Sequence, residues 1–101
     1  LVGMCDIVPP FVQHESIMSY LELLGGKMYH FHIIDGEQGT DSHIVPGEGS
    51  IPLPELIKEL KYVNYNKTAT LELVTGYINE PRLYARRDID RVREYMKEAG
   101  Y

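Results

Sequence analysis

The sequence predicts an α/β fold with parallel strands, on three observations. A short run of β-branched and aromatic residues, Tyr29-His30-Phe31-His32-Ile33-Ile34, stops at Asp35-Gly36 and reads as a buried strand entering a loop. Two further apolar runs, at residues 1–8 and 68–74, stand before and after it. Each run is followed by a segment with apolar residues at helical spacing, and a strand–helix alternation implies parallel strands joined by crossover helices.

The first run carries one charge, Asp6, and is bounded by Pro9-Pro10. A carboxylate in a buried strand is costly unless it is paired or holds a cation. Cys5 points to the other face, and nothing near it in sequence would lower its pKa, so it reads as a small packing residue. Ile17, Tyr20, Leu21 and Leu24 fall at i, i+3, i+4, i+7, one face of a helix that Gly25-Gly26 ends. In the strand at 28–34, alternation puts Tyr29, Phe31 and Ile33 on one face and Met28, His30, His32 and Ile34 on the other.

A long connection from Asp35 to Ser50 holds Gly36, Gly39, Gly47 and Gly49, several acids, His43 and Pro46. Loops of this length in compact domains are often functional. Its glycines fit no phosphate-cradling pattern. Pro52-Leu53-Pro54-Glu55 opens the next helix, with Leu53, Leu56, Ile57 and Leu60 as its stripe. In the run at 68–74, Ala69, Leu71 and Leu73 form the packing face, and Thr68, Thr70, Glu72 and Val74 share the other. From about Pro81 the chain is helical and charged, with Ile89, Val92, Met96 and Ala99 as its stripe and Gly100 as terminator.

The totals narrow the classes. The chain of 101 residues allows one domain with a modest core. A net charge of −5 argues against nucleic acid or an anionic membrane as the main partner. No apolar run approaches the roughly 20 residues of a membrane span, and no basic segment precedes the apolar start as in a signal peptide. A single cysteine forms no internal disulfide, which points to a reducing, cytoplasmic compartment. The sequence opens at Leu1 already in a strand-like pattern and reads as the continuation of something longer.

Asp6, His32 and Glu72 each lie near the carboxyl end of an expected strand. In parallel neighbours those ends lie side by side, where α/β folds place their chemistry. The three are therefore candidate ligands of one ion, and two carboxylates with one imidazole suit Mn2+, Mg2+, Co2+ or Zn2+. The plainer reading is three unrelated polar residues, each with its own hydrogen bonds, and at this point it stays open. His43 and Glu48 read equally as solvated loop residues or as parts of a site.

The residues also carry a resemblance. Asp6 in a strand, Gly-Lys-Met-Tyr-His-Phe-His at 26–32, Pro-Gly-Glu-Gly at 46–49 and Thr-Leu-Glu-Leu at 70–73 come in an order that resembles the sugar-phosphate isomerase/epimerase superfamily, the (β/α)8 barrels related to xylose isomerase and endonuclease IV. The stretches at 4–11 and 72–86 carry a closer resemblance, to the fructoselysine branch of the ketose 3-epimerases. The resemblance implies a partial (β/α)8 TIM barrel, residues 1–101 supplying the last three βα units and the carboxyl-terminal portion of the domain. It implies one divalent ion, Mn2+ first, held by Asp6, His32 and Glu72, with a further Glu on the strand before Leu1. It also implies that Glu72 is one of two glutamates that exchange the C3 proton of a ketose through an enediolate.

By the same resemblance, His30, His43 and Glu48 are candidate substrate-binding residues. His43 and Pro9 stand where tagatose-type enzymes carry an arginine and a histidine. The expectation is thus a fragment of a cytoplasmic metal-dependent ketose 3-epimerase acting on fructoselysine or a similar C1-substituted ketose. Its partners would be a sugar or sugar-amino-acid substrate, the amino-terminal part of the barrel and further copies of itself, with no nucleic acid and no membrane. Alone, short of one ligand and one acid–base Glu, it would be inactive. Other readings are a hydroxypyruvate isomerase, a tagatose or psicose 3-epimerase, an endonuclease IV-like repair enzyme, or a non-catalytic partial barrel that only associates.

Overall fold

A computed structural model describes residues 1–74 and 77–101; Thr75 and Gly76, within the 72–86 stretch, lie outside the described residues. Strands β1 (Gly3–Asp6), β2 (Met28–Ile33) and β3 (Thr68–Leu71) pair in parallel as one sheet in the order β1-β2-β3. Helices α1 (Val8–Val12) and α2 (Ile17–Leu24) follow β1, α3 (Leu53–Tyr62) follows β2, and α4 (Pro81–Ala99) follows β3. The α/β class and the parallel pairing are as the sequence predicts.

The strands are shorter than their apolar runs. The first ends early because α1 begins at Val8. Pro9 and Pro10 fall in its first turn, where a missing N–H removes no intrahelical bond and a fixed φ suits the helix. The Pro-Pro pair that bounds the strand therefore also starts a helix.

One face of the sheet is the core side. Cys5, Phe31 and Ile33 are buried there with Ile7 and Val8, against Leu21 of α2, Leu53, Leu56, Ile57 and Leu60 of α3, and Val92 of α4. The Phe31 ring meets Tyr65 edge-on at 5.0 Å between centroids. Burial, and then the Asp6 charge, push the Cys5 thiol up to about 11, so it packs and does not react.

Several packing expectations differ, and Met28 and Ile34, expected on the histidine face, are buried in the core. Tyr29 is exposed at the start of β2, with the Lys67 ammonium 4.6 Å from its ring centroid. Ala69 is exposed and Leu71 half-buried, because α4 lies mainly against α3 and little against β3. Of the α4 stripe, Val92 is buried, Ile89 and Ala99 half-buried, and Met96 exposed.

The opposite face carries Met4, Asp6, His30, His32, Thr68 and Thr70, all partly or fully open to solvent. That open polar face, and not the packed one, bears the site.

Candidate metal centre

Register builds the centre. Asp6 pairs with His32, and His32 pairs with Thr70. Glu72 lies two residues beyond Thr70 and so returns to the same face, just past the end of β3. Asp6 Oδ1 accepts the Val8 N–H at 3.1 Å, which fixes the carboxylate at the mouth of α1 and leaves Oδ2 for the centre. His32 Nδ1 stands 3.2 Å from Glu72 Oε2 and 3.9 Å from Asp6 Oδ2. Donor atoms of all three residues lie within 4.8 Å of one another. Asp6, His32 and Glu72 thus come together at one point beyond the strand ends.

His43 reaches the same place from the β2–α3 loop. Its Nε2 is 3.4 Å from Glu72 Oε2 and 3.6 Å from Asp6 Oδ2. The side chain is only 10% exposed, and its buried Nδ1 makes no hydrogen bond; the nearest acid is Asp41, at 3.8 Å.

The loop holds that position because it is wrapped around Asp35. Backbone hydrogen bonds join Asp35 and Ile44 in both directions, at 3.1 and 3.0 Å. The Asp35 carboxylate is fully buried. Its Oδ1 accepts the amides of Gly36 and Ile51 at 2.8 and 3.0 Å, and its Oδ2 those of Gly47 and Gly49 at 2.8 and 3.0 Å. A Cβ on Gly49 would lie 2.4 Å from Asp35 Oδ1 and 2.5 Å from the Gly36 carbonyl, so no larger residue fits. Gly47 has φ +91°, which side chains rarely adopt.

The far side of the loop leans on Tyr77 and on the last helix. The Val45 amide donates to the Tyr77 hydroxyl at 3.1 Å, and Glu48 forms an ion pair with Arg87, whose guanidinium lies over the Tyr84 ring. Glu48 is thus engaged with α4. His30 shares the open sheet face. Its Nδ1 is 2.7 Å from Thr68 Oγ1, and its ring stands edge-on to His32 at 5.3 Å.

A divalent cation fits this donor set. Two carboxylates face one another across two imidazoles, and among the described residues no Lys or Arg pairs with Asp6 or Glu72. Charge of one sign gathered this closely is relieved by a bound ion.

No family model matches the chain. Among curated proteins, it is 47% identical over 98 residues to the fructoselysine 3-epimerases of Shigella flexneri and Escherichia coli O157:H7. The match takes in 97% of this chain and 36% of each relative, in their carboxyl-terminal part. Over nearly its whole length the chain is similar to the carboxyl-terminal part of fructoselysine 3-epimerases. It spans little more than a third of the length of these sugar-phosphate isomerase/epimerase relatives.

Two structural acids are not singled out by the sequence alone. Asp35 had a signal in the glycines at 36, 47 and 49, which let backbone amides approach one carboxylate. Asp88 lies four residues before Val92, on the inward stripe of α4, where a charge is out of place. Both its oxygens are buried without hydrogen-bond partners. Burial and the Glu48 charge, opposed by Arg87, push its carboxyl up to about 6.

Proposed function

We propose that the chain is part of a divalent-metal-dependent ketose 3-epimerase that acts on fructoselysine or another C1-substituted ketose. The convergence of Asp6, His32 and Glu72 at the carboxyl ends of three parallel strands carries this reading, and the similarity to fructoselysine 3-epimerases supports it. Asp6 Oδ2, His32 Nδ1 and Glu72 Oε2 would hold the ion, Mn2+ before Mg2+, Co2+ or Zn2+. When bound, such an ion polarises a C2 carbonyl and acidifies the C3 proton.

The protein's own groups do the rest. Glu72, with 40% of its side chain open to solvent, takes the C3 proton from one face of the sugar, and a second glutamate protonates the enediolate on the opposite face, which inverts C3. His30 and the threonines of β3 line the adjoining sheet face and meet substrate hydroxyls. The second acid–base glutamate belongs to a preceding strand of the barrel. That part, or a second copy of the chain, would pair with the outer edges of β1 and β3, which have no strand beside them among the described residues. The chain alone would then exchange no C3 proton.

The test is exchange of the fructoselysine C3 hydrogen in deuterated water with Mn2+, read by proton NMR, on the chain joined to the amino-terminal part of a curated relative. Exchange is expected, and Glu72→Gln should abolish it while retaining weaker ion binding. Exchange that survives Glu72→Gln would remove Glu72 from the acid–base role.

A further inference from the structure

We propose that His43 is a fourth donor to the ion, set in place by Asp41, so that this chain alone carries a site of two carboxylates and two imidazoles. The inference rests on the metal reading above and deepens it. Four atoms form a closed ring: His32 Nδ1 to Glu72 Oε2 at 3.2 Å, Glu72 Oε2 to His43 Nε2 at 3.4 Å, His43 Nε2 to Asp6 Oδ2 at 3.6 Å, and Asp6 Oδ2 to His32 Nδ1 at 3.9 Å. Neighbouring donors about 2.1 Å from a shared ion lie about 3.0–3.4 Å apart, and the four edges of this ring, at 3.2–3.9 Å, approach that spacing. As hydrogen bonds, the two His43 separations are long, since N–H···O bonds fall at about 2.7–3.2 Å. A buried imidazole placed between two acids without bonding either is accounted for by what would sit among them.

Its other nitrogen points the same way. Nδ1 is buried and unpartnered, with Asp41 Oδ1 at 3.8 Å. A histidine that gives one nitrogen to a metal carries its proton on the other and donates it to a carboxylate, a carbonyl or water. Asp41 is largely exposed and free to close that gap. The Asp35–Ile44 pairing holds the neighbouring backbone, so His43 is presented by an ordered loop. Two imidazoles and two carboxylates favour Co2+, Zn2+ or Mn2+ over Mg2+ and Ca2+.

The test is Co2+ titration of the 101-residue chain, followed by calorimetry and by proton NMR of the paramagnetic complex. Two strongly shifted exchangeable ring N–H signals, from His32 and His43, are expected from the unsubstituted chain. His43→Gln should remove one of them and weaken Co2+ binding by more than about tenfold, and Asp41→Asn should weaken it by less than His43→Gln does. One shifted ring signal, with affinity unchanged in His43→Gln, would overturn the fourth-donor role and leave the three-residue centre standing. No Co2+ binding by the unsubstituted chain would overturn both.

Discussion

Asp35 and the Asp6–Glu72 pair are carboxylates on one small domain, and they are used in opposite ways. Asp35 is fully buried, yet four backbone amides occupy both of its oxygens. Asp6 and Glu72 are 26% and 40% exposed, and the described structure gives them one backbone amide between them, that of Val8 on Asp6. Burial alone therefore does not mark a functional acid. What marks it is bonding capacity left unspent and aimed, together with other such groups, at one point. Asp35 shapes the loop, and Asp6 and Glu72 keep their lone pairs for something else.

The contrast breaks most sharply at Asp35. Asp35→Ala leaves four amides without their acceptor and should cost about 3–5 kcal/mol of stability, read from urea midpoints. A loss of under about 1 kcal/mol would mean that water replaces the carboxylate easily. Next, Gly49→Ala drives a methyl against Asp35 and the Gly36 carbonyl. It should cost about 1–3 kcal/mol and weaken ion binding as the loop carrying His43 shifts.

Asp88 is the intermediate case, buried like Asp35 but unpartnered. Its carboxyl is raised from 3.8 to about 6, so the folded state holds the proton more tightly than the unfolded chain. Its contribution is present in full below the unfolded value and is lost as the pH climbs through the folded one. Stability should fall by about 1–2 kcal/mol between pH 4 and 7, and Asp88→Asn should flatten that slope in denaturation curves taken across the range.

The smallest effect on stability belongs to the centre itself. Without metal, Glu72→Gln should change the unfolding midpoint by less than about 0.5 kcal/mol, or raise it by easing repulsion from Asp6. With saturating Mn2+ the unsubstituted chain should gain stability that the variant largely lacks.

Much of this was legible in the sequence, for reasons that differ residue by residue. Strand periodicity placed His32 and Glu72 on the non-core face, and parallel pairing brought Asp6 alongside them; both are local or topological rules with few exceptions. The Leu53–Leu60 stripe was equally plain, because a helix pressed on a sheet must be apolar on one side. The short helix on Pro9-Pro10 was hidden because proline ends strands and starts helices alike. The exposure of Ala69 was hidden because its cover depends on where α4 lands, a tertiary matter. The Asp35 hub was hidden because its partners are backbone amides, which every sequence has.

The register of the sheet has a consequence for how the molecule assembles. His30 meets Thr68 across 38 residues of chain, so the strands find one another only after a long search, and parallel pairing of this kind is slow. A slip of one residue between β2 and β3 would send Glu72 to the core face and its neighbours Leu71 and Leu73 into water. The same slip would leave His32 facing no acid on that side. A cation present during folding would therefore reward the correct alignment alone, and refolding in Mn2+ should yield fewer misregistered chains than refolding in chelator.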